Sequence, residues 1–208
     1  MGLREQKKRE TRAALSWAAI RLIVERGAEN VLVEDIAAAA GVSPRTFNNY
    51  FSSKGEAVAA RHLDRGLRLA EDLRDRPADE PLWTAVLQSA LARLEPGPEV
   101  AAHPAEPGPE QWAAGVKAMM ASPSLQAEML RAGVRAEAEI AVAVASRTGT
   151  DAARDLYPNL VAGAITAAIN VCQQQFIARG ASASLRDLLT EALALTAAGF
   201  PEPGTQRR

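Results

Sequence analysis

The chain has 208 residues, enough for one or two domains and a substantial buried core. Hydrophobic residues make up 48% and charged residues 24%, ordinary values for a soluble globular protein. The net charge is −1, and a single cysteine, Cys172, excludes an intrachain disulfide.

Alanine is abundant, runs of β-branched residues are scarce and aromatics reach only 4%, so an all-α fold of about nine helices is expected. The first helix spans Lys8 to Arg26, with Leu15, Ala18, Ala19, Leu22 and Ile23 as its apolar stripe. Two short helices follow. Ile36, Ala37 and Ala40 share one face of the first, and Gly41 stops it. Val42 plugs the angle between the two. Ser43 caps the second helix and Pro44 suits its first position. Phe47, Tyr50 and Phe51 make the inner face, leaving Arg45, Thr46, Asn48 and Asn49 outside. Two helices crossing at a tight turn are the geometry that puts a recognition helix in the major groove. Arg and Asn carry donor forks that suit guanine and adenine edges.

A fourth helix begins near Lys54 and runs to about Arg74, ended by Arg76-Pro77. Trp83, Val86, Leu87, Ala90, Leu91 and Leu94 form the next stripe. The stretch 95–110 holds five prolines and is read as a loop. Trp112, Val116, Met119 and Met120 lie on a further helix. Another starts at Pro123 and carries Leu125, Met129, Leu130, Val134 and Ile140 to about Thr148. The last two helices are expected over Ala153–Arg179 and Ser184–Ala198, and the tail from Pro201 to Arg208 as disordered.

The segment from about Lys8 to Val58 resembles the TetR family of transcriptional regulators. The resemblance rests on RETRAALSWAAIRLIVERGAENV and VEDIAAAAGVSPRTFNNYFSSKGEAV, with Gly27, Ile36, Ala37, Ala40, Gly41, Val42, Ser43, Tyr50, Phe51, Ser53 and Lys54 at the matching places. One position departs: Leu32 stands where the family often has a capping threonine, a loss worth about 1 kcal/mol. The body, through SPSLQAEML and YPNLVAGAITAAI, is similar to an actinobacterial subgroup that includes the mycofactocin-cluster regulator.

The resemblance implies a helix-turn-helix domain over 1–54, a connecting helix over 54–75, and a ligand-binding and dimerisation domain over 76–200. It implies Ser43, Arg45 and Asn49 as base readers. Thr46, Asn48, Tyr50 and Lys54 then meet phosphates or groove walls, with Thr11 and Arg12 adding backbone contacts. Nine basic against six acidic residues give 1–54 a net charge of +3, leaving −4 for the rest. That asymmetry fits a DNA module on a more acidic body.

The partners implied are a palindromic duplex operator, a second copy of the chain and a small-molecule effector. The dimer would be a bundle of the last two helices, through Val161, Ile165, Ile169, Leu185, Leu188, Leu189 and Leu193, although the same stripe also suits a monomer core. Trp83, Leu87, Leu91, Trp112, Val116, Met119, Met120, Met129, Val134, Tyr157 and Phe176 are either lining of an apolar effector pocket or plain core. The subgroup implies a long apolar or acyl-type ligand. Arg131 with Arg135 would meet its anionic group, or form a solvated pair beside Glu128 and Glu139.

No stretch of about 18 or more uncharged apolar residues is read, so no membrane span is expected, and the charged N-terminus is unlike a signal peptide. The cytoplasm is the expected location. No catalytic residues, metal ligands or cofactors are expected. His62 and His103 lack metal-ligand spacing, and Cys172 sits on an apolar stripe. The sequence leaves open whether the regulator represses or activates. It also leaves open a helical ligand-binding scaffold without DNA reading.

Overall fold

A computed structural model of the chain describes residues 2–92, 94, 98–102, 109–179 and 183–201. Among them are ten α-helices and no strand: α1 (Leu3–Arg26), α2 (Val33–Ala39), α3 (Pro44–Tyr50), α4 (Lys54–Asp75), α5 (Leu82–Leu91), α6 (Pro98–Ala102), α7 (Pro109–Ala121), α8 (Pro123–Thr148), α9 (Leu156–Arg179) and α10 (Leu185–Ala197). The all-α expectation holds. Helix α1 starts five residues before the expected Lys8, because Arg4, Glu5, Gln6 and Lys7 are good helix formers. The proline-rich stretch is not loop throughout. Pro98 and Pro109 each open a helix, where a missing N–H costs nothing. Helix α9 starts at Leu156, later than expected. Residues 151–155 instead form a turn in which Asp155 accepts the N–H of Asp151, and Asn159 donates back to Ala152 and Asp155. Of the tail expected from Pro201 to Arg208, residues 202–208 lie outside the described residues, as does His103.

The chain divides into two compact units, Met1–Asp64 with Pro96–Val134, and Arg65–Glu95 with Arg135–Arg208. The first holds the helix-turn-helix pair around Leu15, Leu22, Ile23, Val31, Ile36, Phe47, Phe51, Val58 and Leu125. It reaches beyond the sequence division at Lys54, because α7 packs on α1. The Trp17 and Trp112 rings lie 5.5 Å apart, and Arg61 sits over Trp17. Gly115 makes the close approach possible: a Cβ there would lie 2.4 Å from the Val24 carbonyl oxygen.

The second unit packs Leu69, Leu73, Val86, Ile140, Val144, Val161, Ile165 and Leu193. Arg147 closes it. Its guanidinium donates to the carbonyls of Leu73, Arg76, Pro77 and Glu80, at 2.9 to 3.2 Å. These are carbonyls at and beyond the end of α4, which has no helical partner for them. Arg76 and Glu80 form an ion pair within the same turn, and that bond holds the Glu80 carboxyl below its usual range.

Helix α9 qualifies the membrane expectation. By length and composition it is apolar enough to cross a bilayer. One side, however, packs in the chain's own core with Val161, Ile165, Ala168 and Cys172. Burial pushes the Cys172 thiol up, as does the nearby Glu191 charge, so it is an unreactive core residue.

Replacing Arg147 with Met removes four charge-assisted bonds and leaves carbonyls unpaired. The expected cost is about 2–4 kcal/mol in urea unfolding. Gly115→Ala would stabilise an open helix by about 1 kcal/mol. Here the contact with Val24 reverses the sign, and a destabilisation of about 1–3 kcal/mol is expected in the same assay.

Candidate nucleic-acid interface

The turn between α2 and α3 is built from backbone bonds. Gly41 takes a positive φ of 68°. Its N–H donates to Ala38 at 3.0 Å, and the N–H of Val42 donates to Ala37 at 2.9 Å. This is the paired arrangement of a Schellman stop, and a side chain at Gly41 would strain it. The N–H of Thr46 then donates to the Ser43 hydroxyl at 3.1 Å, capping α3. The Ser43 and Thr46 hydroxyls also bond each other at 2.9 Å.

Phe47 and Phe51 are fully buried and pack ring to ring at 5.7 Å, with half-buried Tyr50 beside them. Their burial fixes the rotation of α3. Arg45, Asn48 and Asn49, spaced three and four apart, therefore share the outward face. All three are exposed, and none has a side-chain partner among the described residues. Asn48, expected on phosphates, stands on the same face as the expected base readers. Ser43 is exposed but its hydroxyl is engaged in the cap.

Several other expected contacts have partners inside the protein. The Lys54 ammonium is half-buried and donates to the carbonyls of Ala28 at 2.5 Å and Val31 at 3.1 Å. It ties the loop before α2 to the start of α4. Arg12 lies 4.7 Å over the Phe51 ring and 3.5 Å from the Asp64 carboxylate. The Thr11 hydroxyl donates to the Lys7 carbonyl. At the start of α2, Leu32 is 62% exposed and has no acceptor to offer. The Asp35 carboxylate still accepts the Leu32 N–H at 2.8 Å, so one half of a capping box remains. The sequence reading missed Asp35, although the three-residue spacing signals it. It also missed Asp64, which no local pattern marks.

The residues put forward for an effector pocket fall into both units. In the first, Met119 is buried, Trp112, Val116 and Met129 are half-buried, and Met120, Arg131 and Val134 are exposed. Arg131 forks onto Glu128, at 2.6 and 3.2 Å, and that carboxylate raises its pKa further. It thus has the solvated pairing that was the alternative to a ligand role. Arg135 is exposed. In the second unit Trp83, Leu87 and Leu91 are half-buried, whereas Tyr157 and Phe176 are exposed.

The residues named for a dimer face are largely internal. Val161, Ile165, Leu189 and Leu193 are buried in the chain's own core, and Ile169, Leu185 and Leu188 are half-buried. Helix α9 packs that side against α10. Its opposite side exposes Leu156, Leu160 and Val171, and α10 exposes Leu195. No group of three or more His, Cys, Asp and Glu suited to a metal occurs among the described residues.

Lys54→Met is expected to lower stability by about 1–3 kcal/mol in the absence of DNA, since two carbonyls lose a charged donor. Leu32→Thr is expected to raise it by about 1 kcal/mol by completing the cap. Urea unfolding of the free protein measures both.

Comparison with known proteins agrees with this geometry. The family described as "Bacterial regulatory proteins, tetR family" matches residues 17–60, and the "MftR C-terminal domain" matches residues 80–201. The chain is 31% identical over 187 residues to the HTH-type transcriptional regulator TcmR of Streptomyces glaucescens, covering 86% of this chain and 78% of that one. In fold it is similar to a crystal structure from Rhodococcus sp. assigned to the TetR family, with a TM-score of 0.56, 23% identity, and coverage of 92% and 99% of the two chains. One from Mesorhizobium loti with the same assignment gives a TM-score of 0.53 at 17% identity, covering 91% and 94%. The chain belongs to the TetR family of bacterial transcriptional regulators, DNA-binding proteins and not enzymes, with a body of the mycofactocin-regulator type.

Proposed function

We propose that the chain is a homodimeric cytoplasmic repressor that leaves a palindromic operator when a small apolar or acyl-type ligand binds. The observation that carries the DNA reading is the outward face of α3. Arg45, Asn48 and Asn49 are exposed and partnerless among the described residues, while Phe47 and Phe51 hold the helix from behind. Arg45 suits a guanine edge bidentately, and the two asparagines suit adenine.

A single helix of this length reads only a few base pairs. A two-fold pair sets two recognition helices about 34–36 Å apart, one turn of the duplex. The outer side of α9, with Leu156 79% and Leu160 68% exposed, is an apolar surface that a second copy would cover. The face proposed here is therefore this outer one, together with Leu195 of α10, in place of the internal stripe.

For the effector, the second unit offers half-buried Trp83 and Leu87 on one face of α5 and the buried Ser89 on another. The Ser89 hydroxyl is fully buried and has no hydrogen-bond partner among the described residues. A half-buried apolar face and, apart from it, one orphaned buried hydroxyl are the features of this unit that would suit a mainly hydrocarbon ligand carrying a single polar group. A ligand preferring one of two conformations would shift the population away from the DNA-competent one.

Arg45→Ala is expected to lose about 1–3 kcal/mol on operator DNA and little on random duplex, measured by competitive gel shift. Equal losses on both would remove Arg45 from base reading. Leu160→Glu with Val171→Glu is expected to yield monomers in sedimentation. A dimer that survives this pair would place the interface elsewhere.

A further inference from the structure

We propose that Glu56 is a positioning residue for the recognition helix: it grips the exit of α3 and sets the place of Asn48 and Asn49, whereas Arg45 is set from the other end. The proposal deepens the DNA-binding reading above and rests on it.

Helix α3 has seven residues, about 10 Å at 1.5 Å per residue. A helix this short frays unless its ends are held. Its start is held by the Ser43 hydroxyl, which accepts the N–H of Thr46, and Arg45 belongs to that first turn. At the other end the Phe51 N–H donates to the Phe47 carbonyl at 2.9 Å. Only Ser52 and Ser53 then separate Phe51 from the start of α4 at Lys54. Asn48 and Asn49 stand in the turn that this junction ends. An asparagine reads adenine through two bonds at once, so the turn that carries it must be held to within about 0.5 Å.

The junction is tied to α4 by one carboxylate. A single Glu56 oxygen accepts both the N–H and the hydroxyl of Ser52, each at 2.7 Å. The Ser53 hydroxyl accepts the Glu56 N–H at 3.0 Å and caps α4. In an ordinary capping box the carboxylate returns to the N–H of the capping residue itself. Here it serves the residue before the cap, and takes that side chain as well. Its bonds therefore act on the exit of α3 and not only on the start of α4. On the same turn of α4, the Lys54 ammonium holds the carbonyls of Ala28 and Val31, in the approach to α2. One turn of one helix thus grips both the entry and the exit of the α2–α3 pair. The two ends of α3 are held by different residues, Ser43 at the start and Glu56 at the exit, so the loss of one grip disturbs one turn.

The test selects binding sites from a random-sequence duplex pool and compares the enriched sequences of full-chain variants. Asn48→Ala with Asn49→Ala marks the base pairs that the asparagines read, and Arg45→Ala marks those of the arginine. Glu56→Ala is expected to relax the asparagine positions about 5- to 20-fold and to leave the arginine positions as in the wild type. Glu56→Gln keeps an acceptor for Ser52 and is expected to select the wild-type site. Ser52→Ala loses one of the two bonds and is expected to relax the same positions by a smaller factor. It decides the matter where circular dichroism shows Glu56→Ala to be unfolded. Unchanged preference at the asparagine positions, or equal relaxation at every position, overturns the role of Glu56 and leaves the DNA reading intact. A Glu56→Gln protein that behaves as Glu56→Ala does the same, as does an asparagine double variant that still selects the wild-type site. A wild type that enriches no sequence overturns the DNA reading, and the proposal with it.

Discussion

The burial of Phe47 and Phe51 is the constraint on which the interface depends. Helix α3 has only seven residues, too short to hold a conformation or an orientation by its own propensity. Two rings on one side, sealed in a core shared with Leu15, Ile36 and Val58, fix it about its axis. The outward direction of Arg45, Asn48 and Asn49 follows from that and from nothing in those three side chains. Fully burying each aromatic contributes roughly 1.5–3 kcal/mol, more than the cap at Ser43. The cap and the Gly41 turn decide where the helix begins; the rings decide which way it faces.

Long polar side chains then join elements that are distant in sequence. Lys54 reaches back 26 and 23 residues to two carbonyls, and Arg147 reaches back 67 to 74 residues to four. In both cases a cation meets a chain segment whose carbonyls no helix satisfies. The first secures the approach to α2, and the second secures the exit from α4. Each does so inside its own unit, so the framework of each is held by its own residues.

The helices, the α2–α3 turn and the family were legible in the sequence because their signals are local. Gly41, Ser43 and Pro44 act within a few residues, and the stripe of α1 repeats along one element. What was not legible depends on partners far along the chain. Lys54 fits a phosphate contact by position, and only the fold shows its nitrogen on Ala28 and Val31. Helix α9 is the clearest case. It is apolar on two sides, so its periodicity marks Val161 and Ile165 as well as Leu156 and Leu160 without saying which pair turns inward. Packing against α10 answers that. The pocket residues were equally ambiguous, since Trp112 serves in a ring contact with Trp17 and Arg131 is taken by Glu128.

The arrangement of α9 and α10 bears on how the protein is made. Helix α10 supplies Leu189 and Leu193 to bury the inner side of α9, and it is the last helix among the described residues to leave the ribosome. Until Leu185 and its successors emerge, the nascent α9 leaves both of its apolar sides uncovered, with no charged residue between Leu156 and Ala178. A message truncated before that point yields a protein whose second core stays open. Such a product is marked for chaperones and proteases by the very side chains that would have completed its interior.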